Sequence, residues 1–291
     1  MVSDNDTLLR FMFEGLPIRG LLVRLGASWR AAVEHAELSV GEERILGRCM
    51  ASAALLAADM KNPGRLILQI QGEGALRLLV VQVDQELHLR GMVRAVGTVA
   101  DDVTLPVLTD HGRLTVTLDP EDSEQRYQGV VPLEDPDFAR CLESYLERSQ
   151  QIPSRLWITI TDGSVTALLL ERLPGESEDP DAWDRIGHLA GTLSDPELGE
   201  LAYSEILHRL FHEEDLRVFE ARPVSFRCSC SRDRTEALLR SMGRTEVEAI
   251  IAAEGKVEVR CDFCGRRYIF DAVDVERLLS DEAVPGPRTV Q

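Results

Sequence analysis

Arg65 to Gln71 (RLILQIQ) alternates apolar and polar side chains with the period of two that a half-buried strand requires. Ala75 to Val83 and Glu86 to Val96 follow as further strand runs around a turn at Asp84-Gln85, which predicts a meander. Gly72-Glu73-Gly74 reads as the turn between the first two strands. Arg113 to Leu118 and Gln128 to Pro132 add strand material. Leu156 to Thr161 and Val165 to Arg172 flank Asp162-Gly163, which is hairpin chemistry. Two runs carry the helical pattern instead. Glu42 to Met60 is rich in Ala and Leu and has a broad apolar face, with Asn62-Pro63-Gly64 as its stop signal, and Phe138 to Ser149 is the second. Adjacent strands of this kind predict an α+β fold whose first domain, residues 1–173, holds an antiparallel sheet with helices.

The pattern changes at Pro174. From there to Asp215 the chain carries twelve acidic residues against two basic ones, Arg185 and Arg209. Apolar periodicity persists at Leu198, Leu201, Ile206, Leu207, Leu210 and Phe211, which predicts two or three short helices broken near Ser194-Asp195-Pro196. One reading of residues 174–225 is a solvated helical hairpin between domains. The other is a marginally stable helical linker that folds only on its neighbours, because like charges repel and Gly187, Gly191 and Gly199 weaken helices. Residues 226–291 form a module short enough that such chains often need a metal or disulfide, ending in a loose tail from Pro285-Gly286-Pro287.

Composition narrows the function. The 291 residues are 44% hydrophobic and 28% charged, an ordinary globular balance. Fifty acidic residues against 32 basic ones give a formal charge of −18, which repels nucleic acid and anionic membranes. Met1 to Asp6 is polar, and neither a signal peptide nor a membrane-spanning run is evident, so a cytoplasmic protein is expected. In a reducing cytosol clustered cysteines are metal ligands or redox groups rather than a disulfide framework.

Four of the six cysteines cluster in the last module, as Cys228-Ser-Cys230 and, thirty residues on, Cys261-Asp-Phe-Cys264-Gly265. CxxCG is a common zinc knuckle, whose glycine lets the backbone turn its amides toward the sulfurs. The CxC half can add two thiolates to the same ion. Four thiolates close a tetrahedral shell with no open position for a reacting water, so the spacing predicts one structural zinc ion on Cys228, Cys230, Cys261 and Cys264. Cys49 and Cys141 lie in helical runs and read as buried small hydrophobes. His208 and His212 have a metal-capable spacing but no further ligand motif beside them. GxSxG, P-loop and GxGxxG motifs are all missing, so an enzyme is not expected.

Arg227-Cys-Ser-Cys-Ser-Arg-Asp-Arg234 and Cys261-Asp-Phe-Cys-Gly265 with Tyr268-Ile-Phe270 resemble the zinc module of the redox-regulated heat-shock holdase family, the 33 kDa chaperonins. The resemblance extends along the chain through Phe13-Glu14, Arg19-Gly20, Leu22-Val23, Leu68 to Gly72, Arg126 to Gly129, Cys141 to Tyr145, Arg148-Ser149 and His212-Glu213-Glu214. It implies an ATP-independent molecular chaperone that is inactive when reduced and zinc-bound. It further implies redox disulfides Cys228–Cys230 and Cys261–Cys264 on oxidation, loss of zinc, unfolding of the module and of linker 174–225, capture of unfolding client proteins, and a homodimer on activation. Those local disulfides would close loops of one and two residues and bridge nothing across the gap that zinc had spanned. Structural zinc contributes about 10–16 kcal/mol of apparent folding free energy in small peptides, against about 5–15 kcal/mol of net stability for a whole domain. The competing reading is a zinc-ribbon nucleic-acid-binding protein, for which Arg227, Arg232, Arg234, Arg266 and Arg267 near the cysteines would supply local positive charge.

Overall fold

The computed structural model describes residues 4–58, 60, 63–100, 103–121 and 126–280. The chain divides into two compact units, residues 1–227 and 228–291. The first unit runs β1 (Thr7–Phe13), β2 (Ile18–Leu25), α1 (Ala27–Val33), α2 (Val40–Ala57), β3 (Gly64–Gln71), β4 (Leu76–Asp84), β5 (His88–Ala95), α3 (Leu105–Thr109), β6 (Arg113–Pro120), β7 (Tyr127–Pro132), α4 (Phe138–Tyr145), β8 (Ser154–Thr161), β9 (Ser164–Arg172), α5 (Ala182–Ala190), α6 (Asp195–Glu200), α7 (Tyr203–Phe211), β10 (Leu216–Val218), β11 (Arg222–Pro223) and β12 (Ser225–Phe226).

These strands make two six-stranded sheets. One is ordered β10-β1-β2-β9-β8, with β11 also on β1, and the other β12-β5-β4-β3-β6-β7. The meander expected from the sequence is β3-β4-β5, and the expected hairpin is β8-β9 with Asp162-Gly163 at its turn. The strands pair antiparallel throughout, except that two-residue β12 runs parallel to β5. The fold is the α+β arrangement expected.

Helix α2 touches both sheets, which explains its composition. Cys49, Met50, Ala51, Ala53 and Ala54 are all fully buried, so the helix is apolar nearly all round, as a helix enclosed on every side must be. Small residues let the sheets approach. A Cβ on Gly47 would lie 2.8 Å from Val165 Cγ2. Ser39 and Glu42 close a capping box at its start, with the Ser39 N–H donating to Glu42 Oε2 at 2.8 Å. The helix ends at Ala57 rather than Met60; Asn62 of the expected stop lies outside the described residues, as does the expected C-terminal tail. The helix expected over Phe138 to Ser149 is α4 followed by one π turn, Leu146–Gln150.

The acidic segment is not a solvated hairpin. Ile186, Ala190, Leu198, Tyr203, Ile206, Leu210 and Phe211 of α5–α7 are buried against Phe11, Phe13, Leu22, Leu168 and Leu170 of the first sheet. The Phe211 ring meets Phe13 edge-on at 5.0 Å. Beneath them Arg24, on β2, donates to the carbonyls of Leu198 at 3.1 Å and Leu201 at 2.8 Å, satisfying acceptors at the C-terminus of α6. The Tyr203 N–H at the start of α7 donates to Asp4 Oδ2 at 2.7 Å. Strands β2 and β9 are thus covered on both faces.

The second unit holds α8 (Arg232–Met242), α9 (Arg244–Glu254), a hairpin of β13 (Val257–Arg260) and β14 (Arg267–Phe270), and α10 (Ala272–Ser280). Its core among the described residues is Leu239, Val247, Val257, Phe270, Val275, Leu278 and Leu279. Seven buried side chains are few for an independent fold. Among the described residues no helix is long and apolar enough to cross a membrane.

Candidate metal centre

The four clustered cysteines arrive from two places. Cys228 and Cys230 lie in the stretch just before α8, where Ser231 caps the helix by accepting from the Arg234 N–H. Arg234 in turn donates through Nη1 to the Ser229 carbonyl and hydroxyl, each at 2.7 Å, and so clamps the residue between the two thiols. Cys261 and Cys264 sit at the tip of the β13–β14 hairpin. There Gly265 adopts φ +67°, its N–H donates to the Cys261 carbonyl at 2.8 Å, and the Cys261 N–H donates to the Arg266 carbonyl at 2.9 Å. A residue with a Cβ would be strained at Gly265, which is the role expected of the glycine in CxxCG.

The four Sγ atoms all lie within 4.8 Å of one another. Cys228 Sγ is 3.6 Å from Cys261 Sγ, and Cys230 Sγ is 3.3 Å from Cys264 Sγ. Tetrahedral thiolate coordination at about 2.3 Å per bond separates sulfurs by roughly 3.8 Å, so the set is close enough to bind a metal ion. Burial pushes the Cys228 thiol up, but hydrogen bonds from the Cys230 N–H and from the neighbouring thiols outweigh it and bring the group down to about 7. Burial raises Cys261 and Cys264. Packed together, these groups favour one ready thiolate; a cation would be needed to hold four.

Cys49 and Cys141 are buried, with thiols pushed up by desolvation, and neither is a member of the metal-capable cluster. His208 and His212 are exposed, with ring centroids 5.8 Å apart, and among the described residues no metal-capable cluster includes them. Three of the arginines that favoured nucleic acid have partners within the unit. Arg232 binds Asp274 and the Ile269 carbonyl and lies over the Phe270 ring, Arg234 holds Ser229, and Arg267 pairs with Glu258. Tyr268 enters the sequence analysis only as part of the zinc-module resemblance, with no contact assigned to it. Tyr268 donates its hydroxyl to Cys230 Sγ at 3.2 Å. Its place a few residues beyond Cys264 could not signal this, since only the hairpin register turns it toward the sulfurs.

The family model described as Hsp33 protein matches residues 6–271. The chain belongs to the Hsp33 family. Hsp33-family relatives named 33 kDa chaperonin, a non-enzymatic class, resemble it over nearly full length. The Nitrosococcus oceani protein is 41% identical over 288 residues, covering 99% of each chain. The Methylobacillus flagellatus protein is 40% identical over 286 residues, covering 97% of each. The crystal structure of the 33 kDa chaperonin (heat shock protein 33 homolog) from Thermotoga maritima superposes with a TM-score of 0.82 at 26% identity, covering 95% of this chain and 99% of that one.

Proposed function

We propose that this Hsp33-family protein is a redox-gated, ATP-independent holdase of the cytoplasm, holding one zinc ion on Cys228, Cys230, Cys261 and Cys264 while reduced. One observation carries the reading: two sulfur pairs separated by thirty residues converge to within 4.8 Å. Zinc bound there supplies a cross-link between the two segments and keeps all four sulfurs as thiolates.

Oxidation removes that cross-link. Cys228 joins Cys230 and Cys261 joins Cys264, each new S–S bond passing an electron pair to an oxidant such as hypochlorite or peroxide. Neither bond ties the segment before α8 to the β13–β14 hairpin, so the small core of the second unit, seven buried residues among those described, is left to hold itself. The segment 174–225 then acts as the switching linker. When α5–α7 leave the first sheet, Phe11, Phe13, Leu22, Leu168 and Leu170 become available to unfolding clients, and activated copies associate as homodimers. The net charge of −18 keeps such an exposed surface soluble and disfavours nucleic acid and anionic membranes as partners.

The test follows zinc release with a chromogenic chelator and client aggregation by light scattering in one oxidant-treated sample. Zinc should leave as protection appears. Zinc release while a thermally unfolding client still aggregates freely would refute the holdase. A Cys261→Ser variant that keeps zinc as tightly as the parent would refute the ligand set.

A further inference from the structure

We infer that Tyr268 is a positioning residue of the thiolate cluster, donating through its hydroxyl to Cys230 and thereby restraining that one sulfur. The inference rests on the zinc-thiolate reading above and adds to it a residue that neither the paired cysteines nor their spacing requires.

The geometry is that of a lever with a fixed arm. Tyr268 lies on β14 in register with Val259, and it packs, partly buried, against the core of the second unit. With the ring held, the hydroxyl reaches Cys230 Sγ at 3.2 Å. The Arg266 guanidinium also interacts with this hydroxyl. Cys230 comes from the other segment of the cluster. The contact therefore joins the two halves beside the metal position, and among the four sulfurs it falls on Cys230. A donor of this kind draws electron density from a thiolate, lowers its nucleophilicity and fixes its orientation toward a metal.

The experiment uses reduced, zinc-loaded, full-length protein and its Tyr268→Phe variant. Each cysteine's alkylation by iodoacetamide is followed by mass spectrometry of digested peptides, and zinc affinity by competition with a chelator. Cys230 in Tyr268→Phe should react about tenfold faster relative to Cys228, Cys261 and Cys264 than in the parent. Zinc should bind about 10-fold or more weakly. Arg266→Gln, which keeps the ring, should raise the same sulfur's rate by less. After zinc is stripped, Cys230 should react alike in parent and variant, because the lever is lost with the fold. An unchanged Cys230 ratio would overturn the inference. So would an equal rise at all four cysteines, which would mean that Tyr268 only holds the module together. A parent protein without stoichiometric zinc would instead refute the metal reading itself.

Discussion

Replacing Phe211 with Ala tests the proposed switching of segment 174–225 apart from the proposed zinc site. Phe211 is the last residue of α7, is 1% exposed, and its ring lies 5.0 Å from Phe13 and 6.0 Å from Phe11. Truncating a buried Phe costs about 3–5 kcal/mol in lost transfer and cavity terms. The first sheet keeps its own hydrogen bonds and its α2 face, so most of this cost falls on the docked state of α5–α7. At about 1.4 kcal/mol per decade, the opening equilibrium should shift by roughly 10²- to 10³-fold. Hydrogen exchange of reduced, zinc-loaded protein, read by mass spectrometry, should show that loss of protection over residues 182–211. The zinc content should be unchanged, and light-scattering assays should show client protection without oxidant. Leu68→Ala is the control. Leu68 is fully buried in the other core, and its loss costs a comparable amount without touching α5–α7. Exchange over 182–211 within a few fold of the parent would refute the packing argument. Opened helices with no gain in client protection would refute the assignment of the surface beneath them.

Other outcomes follow from the cysteine geometry and the buried core. Peptide mapping after oxidation should find Cys228–Cys230 and Cys261–Cys264; the cross pairs Cys228–Cys261 and Cys230–Cys264, whose sulfurs lie at 3.6 and 3.3 Å, would staple the unit shut and contradict the switch. Burial raises the thiols of Cys49 and Cys141, so at pH 8 both stay protonated and enclosed. A thiol-disulfide reagent should therefore titrate the other four in chelator-treated native protein and all six only in denaturant. Gly47→Ala should lower stability by about 1–3 kcal/mol in urea unfolding, because its new methyl meets stiff, β-branched Val165 at 2.8 Å.

Strand alternation was legible wherever one face meets the core and the other meets water. Arg65 to Gln71 reads buried at Leu66, Leu68 and Ile70 and more open between them, and the meander followed from it. The same logic hides β2, for which the sequence pattern yields no element. Ile18 to Leu25 is buried at seven of eight positions because α2 covers one face and α5–α7 the other, so period two disappears. Strands β10 to β12, of three residues and two residues each, are too short to carry any period, and only β1 and β5 define them. The cysteine cluster was legible because two closely spaced cysteine pairs in one short module point to a single metal-capable group, and the four sulfurs do converge. The Tyr268 contact was not, because it depends on hairpin register and on a core side chain's direction.

The acidic segment also shows why its release should be all-or-none. Helices α5, α6 and α7 have nine, six and nine residues, all below the roughly 12–15 at which an isolated helix becomes even marginal in water. Their capping is real: Ser194 and Glu197 close a box at α6, and the Ala202 N–H donates to Glu205 Oε2 at 2.9 Å at α7. Yet caps contribute about 1 kcal/mol each and leave nucleation unfavourable. What holds the helices is the apolar face set on Phe11, Phe13, Leu22, Leu168 and Leu170, with Arg24 on the α6 carbonyls. Undocked, they lose that face and have no reason to remain helical, while twelve carboxylates facing two arginines favour an expanded chain. Docking and helix formation are therefore one event, and any perturbation that frees the sheet face also yields a flexible, highly charged segment beside it.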